Sequence, residues 1–415
     1  MPKRTLLLAL ALVGLSAASE AEGVDAWLEP ILQGTVKLDM RARFEYADIS
    51  GGPEASHALT LRTRLGYGTK PWQGASVYFE AENIAAADTH AFFDGIPPTN
   101  GKSVVADPND TEVNQAYLLV DREDFGRSMA RIGRQRLVLD DARFIGNVGW
   151  RQNEQTYDAA FAGTGLGIDG LTVQYGYVLD VNRIFGNQGN AATRDFESNS
   201  HLVRVAYEVA PWLEATTFAY LLDLRDSPLN SANTVGARAT GGLSLCDDWS
   251  LDYQASYAYQ VDGGTSGGDN PLDYEAHYAL VDLALGFAPV GTLGAGYELL
   301  GSDDGNAQFT TPLATAHKFN GWADAFLNNG GPRGLQDLYL YASPKLPWKL
   351  KGKLVFHQFF SHDGGNDFGR ELDAVLSRPL GKYVTVLTKF AWYEGQSSFS
   401  PADRVRAWLQ VTLAF

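Results

Sequence analysis

The sequence predicts an all-β fold: a transmembrane antiparallel β-barrel of about 18 strands, with short periplasmic turns and long extracellular loops. Three features lead there. From Gln33 onward apolar residues recur at every second position, which is the period of a β-strand. The alternating segments run to about 11 residues, roughly 36 Å at ~3.3 Å per residue. Tilted by ~45°, such strands rise ~25 Å, the height of the lipid-facing band of an outer-membrane barrel. The connections between them alternate short and long, as periplasmic turns and extracellular loops do.

Composition agrees. The 415 residues are 45% hydrophobic and include 44 glycines and 19 tyrosines, a mixture that favours strands and turns. The net charge of -16 argues against nucleic acid as a partner, which calls for a basic surface. The single cysteine, Cys246, excludes an intramolecular disulfide framework and a Cys-rich metal site. No metal or cofactor is expected.

Taken in order, residues 1–21 have the layout of a secretory signal. Lys3 and Arg4 precede an apolar run from Leu6 to Leu15, and small residues Ser16, Ala17, Ala18 and Ala21 suit cleavage near 18–21. Residues 22–415 are expected to form one outer-membrane barrel domain. Strands are expected near 33–46, 59–69, 75–84, 112–121, 128–138, 154–164, 170–181, 199–210, 213–225, 233–245, 249–261, 273–287, 291–301, 334–343, 348–361, 368–378, 382–394 and 403–415. LTLRTRLGY illustrates the pattern: Leu59, Leu61, Leu65 and Tyr67 share one face, with Arg62 and Arg64 on the other. Four short turns place Trp72, Trp212, Trp249 or Trp348 at the start of the next strand, where an indole suits the membrane–water interface. The closing RVRAWLQVTLAF alternates to its end on Phe415. That ending resembles the C-terminal signal by which outer-membrane barrels are recognised, so the barrel-assembly machinery is an expected partner, alongside outer-membrane lipid.

If apolar residues face lipid, their neighbours face the lumen. This puts Arg41, Arg43, Arg62, Arg64, Arg204, Arg238, Lys353, Lys389, Arg404 and Arg406 inside, with Glu45, Glu82, Asp180, Glu298, Glu371 and Asp373. Arg131, Arg134 and Arg136 are candidates whose face is open, because GRQRL has the makings of a register break. The first, second and last strands become neighbours on closure, so their arginines form a basic patch on one wall while acids of later strands lie elsewhere. Guanidinium groups bind carboxylates in a bidentate manner and stay charged. Basic groups around a pore favour anions; the alternative is that Arg and Asp/Glu pair across strands and brace a polar lumen. Asp88, Asp94, Asp107, Asp110, Asp303 and Asp304 crowd the long loops, where they face the cell surface and its divalent cations.

Two long runs carry a family resemblance. GRQRLVLDDARFIGNVGWRQNEQTYDA (133–159) and PLATAHKFNGWADAFLNNGGPRGLQDLYL (312–340) resemble the signature blocks of the alginate export family of outer-membrane barrels, and FHQFFSHDGGNDFGRELD (356–373) fits the segment that follows. Gly133, Arg134, Gln135, Arg143, Trp150, Arg151, Gln152 and Asp158 match the first block. His317, Lys318, Asn320, Gly321, Trp322, Asp324, Gln336 and Asp337 match the second. The resemblance implies a barrel of about 18 strands in the bacterial outer membrane. It implies export of an anionic, alginate-like uronate polysaccharide or oligosaccharide through an arginine-rich lumen, and it adds Arg151 to the pore-lining set. The second block lies in the longest loop, 302–333, where His317, Lys318, Asn320, Trp322 and Asp324 are candidates for a constriction folded into the lumen.

Two other functions compete: a porin for small solutes, and an outer-membrane hydrolase on a barrel scaffold. GTSGG (264–268) fits G-x-S-x-G but lacks its strand–turn–helix context, and neither HExxH nor a Walker motif occurs. His357, His362 and Asp363 lack a nearby nucleophile and read as a solvated loop; Asp363 and Asp367 make at best a weak calcium site. No enzyme activity is expected.

Overall fold

Every expected strand forms in the computed structural model, which describes residues 24–123, 126–190, 193–264 and 270–415. The expected signal segment and residues 265–268 of GTSGG lie outside the described residues. A nine-residue helix, α1 (Val24–Leu32), precedes the barrel. The barrel strands are β1 (Thr35–Ile49), β2 (Ser56–Gly68), β3 (Ala75–Ala86), β4 (Asp110–Arg122), β5 (Ser128–Gln135) and β6 (Thr156–Thr164). They continue as β7 (Leu171–Asn182), β8 (Asp195–Ala210), β9 (Leu213–Leu222), β10 (Ala232–Cys246), β11 (Trp249–Asp262) and β12 (Glu275–Phe287). The last six are β13 (Gly291–Leu300), β14 (Leu335–Pro344), β15 (Lys351–Phe360), β16 (Asp367–Leu380), β17 (Val384–Glu394) and β18 (Arg404–Ala414).

Each strand pairs antiparallel with the next. β1 pairs with β18, from Asp39↔Ala414 to Ile49↔Arg404. Closure leaves no open edge, which is the condition for a sheet to cross lipid, where unpaired backbone groups are costly. Alternation sorts the faces. On β2, Ala58, Thr60, Arg62 and Arg64 are buried while His57, Leu59, Leu61 and Leu65 are exposed. On β12, Val281, Leu283 and Leu285 are exposed on the lipid side. Trp212, Trp249 and Trp348 stand exposed at short turns. Phe415 exchanges two backbone hydrogen bonds with Leu38, both 2.9 Å, and sets its ring 6.1 Å from Tyr383.

Two irregularities decide where charges point. On β7 the register slips between Val178 and Asp180. Val178 and Val181 are both fully buried, so Leu179 and Asp180 occupy the outward bulge between them. The inward placement expected for Asp180 is therefore wrong, and the extra residue is the reason. On β5, Arg134 shares strand parity with the exposed Ile132. It bonds Asp158 at 2.8 and 3.1 Å, on the outer face near the extracellular rim. There a charge costs only ~0–1 kcal/mol, against ~2–4 at the midplane.

Candidate functional site

The lumen is not an open tube. Two extracellular loops, residues 136–155 and 301–334, enter it and bond to its wall. They are seated by apolar contacts on one side. Phe144 packs 5.0 Å from Phe218 and 5.2 Å from Tyr278, ring centre to ring centre. Leu137, Leu139, Ile145, Phe309 and Leu313 are buried in the same cluster. Inward aromatic and aliphatic positions of β6 to β13 thus form a greasy seat inside the barrel, which removes loop residues from water.

The opposite wall, β1, β2 and β18, holds the loops with charge. Arg151 lies 3.2 Å from Glu45 and 3.3 Å from Asp324. Arg406 lies 2.9 Å from Glu45 and donates to the Ala323 carbonyl at 3.1 Å. Arg43 sits 3.8 Å from Asp107 and over the Trp150 ring at 4.3 Å. Arg64 meets Glu82 and, at 3.3 Å, Glu154; Glu154 also accepts from Arg136 at 2.7 Å. Arg62 pairs with Asp39. Arg41 donates to Gln152 Oε1 at 2.8 Å and to the carbonyls of Gly149 and Arg151. On the far side Arg204 holds Asp140 at 2.7 Å and Arg238 holds Asp141 at 2.8 Å. Arg143 reaches Glu298 at 2.8 Å.

Two expectations are corrected by this arrangement. The basic patch does not stand apart from the acids, because the loops carry carboxylates onto it. Asp107 and Asp110, expected at the cell surface, are buried. Burying a guanidinium requires a partner; Asp107 supplies one to Arg43, while Asp110 accepts from the Asn187 N–H at 2.7 Å.

The tip of the 301–334 loop crosses to β16 and β17. Trp322 N–H donates to Asp373 at 3.0 Å and Ala323 N–H to Glu371 at 2.6 Å. Asn320 donates to Glu298 at 2.7 Å and Asp337 at 3.2 Å. Gly321 has φ +83, and a Cβ there would collide with the Glu371 carboxylate, so the tip approaches the wall as only glycine permits. Lys389 is enclosed by three indoles, 4.1 Å from the Trp150 ring, 4.0 Å from Trp322 and 5.2 Å from Trp408. Its ammonium donates to His317 Nε2 at 2.7 Å, and His317 Nδ1 donates to Asp324 at 2.6 Å. Burial, helped by the Lys389 charge, pushes the His317 imidazole down to about 3 against the pull of Asp324. It is therefore the neutral tautomer that fits between an ammonium and a carboxylate. Burial alone would raise the Asp324 carboxyl; the His317 hydrogen bond and the Arg406 and Arg151 cations hold it well below the usual carboxylate range.

Six of the expected site cations have no carboxylate ion pair among the described residues. Arg41 is held by neutral acceptors, as above. Arg404 donates to the carbonyls of Asp324 and Ala402. Lys318 donates to the Asp141 carbonyl at 2.7 Å. Arg131 lies over Tyr117 at 5.2 Å, Lys353 over Tyr341 at 4.2 Å, and Lys389 is boxed by indoles. A cavity of about 480 Å³ opens between the loops, lined by Asn147, Trp150, His317, Lys318, Trp322 and Lys389 among others.

The expected site set is thus divided. Arg41, Arg43, Arg62, Arg64, Arg136, Arg151, Arg404, Arg406 and Lys389 converge on one wall and its docked loops. Arg204, Arg238 and Lys353 lie elsewhere on the interior, and Arg134 leaves it. His357 is not in a solvated loop: it is buried on β15, 2.9 Å from Asp337 and 3.7 Å from Asp373. His362 instead accepts from Ser302 N–H at 3.0 Å. Sequence reasoning missed Asp107, Glu154 and Trp408 as wall partners and the entry of the 136–155 loop. The signal was present, since a run that mixes Trp150, Ile145 and Phe144 with Arg143, Arg151 and Glu154 is a poor solvated loop.

Comparison places this architecture. OpdK of Pseudomonas aeruginosa superposes with a TM-score of 0.70 at 14% identity, over 92% of this chain and 99% of its own. OccAB4 of Acinetobacter baumannii gives 0.70 at 14%, over 92% and 98%. OccK9 (OpdG) of Pseudomonas aeruginosa gives 0.71 at 14%, over 93% and 100%. At such identity these similarities establish the fold, that of outer-membrane porins. No curated protein sequence matches the chain. The sequence model for alginate export matches residues 33–299, well over half of the chain, so this outer-membrane β-barrel belongs to the alginate export family.

Proposed function

We propose that the barrel is a passive channel for acidic sugars, with short uronate oligomers of the alginate type as cargo. The observation that supports it is that six of the site cations, Arg41, Arg131, Lys318, Lys353, Lys389 and Arg404, have no carboxylate ion pair among the described residues. These groups offset part of the hydration lost by a carboxylate entering the lumen, weakly enough to release it. The paired arginines hold the loops. Arg41 and Arg404 also brace them, through Gln152 and backbone carbonyls, so selection falls chiefly to the exposed Lys318 and the half-buried Lys353. No catalytic step belongs to this reading.

A second reading, a porin for small carboxylates, draws on the narrowing of the lumen by two loops. OpdK, of the same fold, has been solved with vanillate. Planar-bilayer recording separates the two. The uronate reading expects anion selectivity and current block by a uronate trimer, with maltotriose inert. Cation selectivity with no uronate effect would sink it. Block by single-ring carboxylates alone would favour the second reading.

A further inference from the structure

The cavity between the two loops has the makings of a binding site in its own right. Its volume, about 480 Å³, falls in the ~300–1,000 Å³ range of small-ligand sites, enough for a pyranose ring. Its walls come from both signature loops, so it exists only when both are docked. Trp150 has its faces taken by His317, stacked at 4.8 Å and 11°, and by Arg43. Trp322 differs. It is half-buried, and Lys389 is its one ring partner among the described residues. The indole lines the cavity and packs in part against the apolar cluster beside it.

We propose that this cavity is a subsite for one uronate ring, resting on the channel reading above. Trp322 is the platform for the apolar C–H face of the pyranose, an amphipathic surface of the kind aromatic side chains match. The Lys318 ammonium, exposed at the cavity edge, takes the carboxylate. Asn147 and Asp141, which also line the cavity, meet the ring hydroxyls. Asp141 is held ionised against its burial by the Arg238 cation, so it accepts from hydroxyls and repels a carboxylate placed the wrong way round. A neutral sugar forgoes the lysine, and an aromatic carboxylate leaves the acceptors unused. The combination of platform, cation and hydroxyl acceptors selects an acidic pyranose.

The test uses the full chain in planar bilayers, with trigalacturonate, maltotriose and vanillate as probes. Trp322→Ala is expected to shorten trigalacturonate block about ten-fold, the scale of one lost stacking contact, and Lys318→Met to do likewise. Trp322→Phe retains block, and Trp348→Ala, at a periplasmic turn, leaves it unchanged. Conductance in plain salt reports whether the loop has stayed docked; if Trp322→Ala shifts it, Trp322→Phe decides, since loss of block there with normal conductance overturns the subsite. Unchanged block in both Trp322→Ala and Lys318→Met overturns the subsite but leaves the channel reading standing. Vanillate blocking as strongly as trigalacturonate also overturns it. Absence of trigalacturonate block in the unaltered protein overturns both.

Discussion

The Arg151 guanidinium lies 3.2 Å from the Glu45 carboxylate, both buried. One residue belongs to the loop between β5 and β6 and the other to the first barrel strand. Asp324 of the second loop and Arg406 of the last strand complete the group. Replacing Arg151 by Met leaves two buried carboxylates with one cation fewer. Removing one partner of such a group costs about 3–5 kcal/mol. Arg151→Met is therefore expected to lower the loop-docked population, seen as larger and noisier single-channel conductance, while the barrel still resists SDS unheated.

The unpaired cations behave differently. Lys318 and Lys353 are not buried and hold no loop through a carboxylate. Lys353→Met is expected to leave stability intact and reduce anion preference. A charge near a permeant ion contributes on the order of 1 kcal/mol at ~4 Å in water, so the permeability ratio falls several-fold at most. Reversal potentials in a salt gradient measure it.

Acid should loosen the second loop. The docked value of His317, about 3, lies below the ~6.5 of a free imidazole. Docking thus favours the neutral ring, and its contribution is full above ~6.5. It drains as the pH falls from there towards about 3, because the undocked loop takes up the proton first. Loop-opening events are expected to rise across that window. In His317→Gln, which cannot titrate, the rise should be much weaker; an equal pH dependence in that variant would contradict the assignment.

The lipid face allows a check on orientation. Leu283 is exposed near the middle of β12, and Leu283→Arg should cost about 2–4 kcal/mol of folding stability in vesicles. Thr240→Arg, at a half-buried position on the inward face of β10, escapes that lipid penalty. A larger loss at Thr240 than at Leu283 would contradict the assignment of faces.

The strands were legible because their pattern is local. A period of two needs no knowledge of partners, so all 18 stood out; the wrong face fell at β7, where a bulge turns Asp180 outward, and the open face of Arg134 resolved outward with Ile132. The loops were not legible in the same way. What positions Trp150 is a stack on His317 across 167 positions of sequence, and what positions Asp107 is Arg43 on a strand that precedes it by 64. Such pairings follow from barrel closure, which composition does not encode. The 302–333 loop drew notice through its length and its Trp and His residues. The 136–155 loop, shorter and flanked by good strands, hid the same density of charge.

Closure of β1 against β18 carries a further consequence. The group formed by Glu45, Arg151, Asp324 and Arg406 draws on the first ribbon, the last ribbon and both inserted segments. Until the final ribbon zips to the first, half of that anchorage is missing and neither segment has its complete berth. The berth of both segments is therefore complete only in the sealed cylinder.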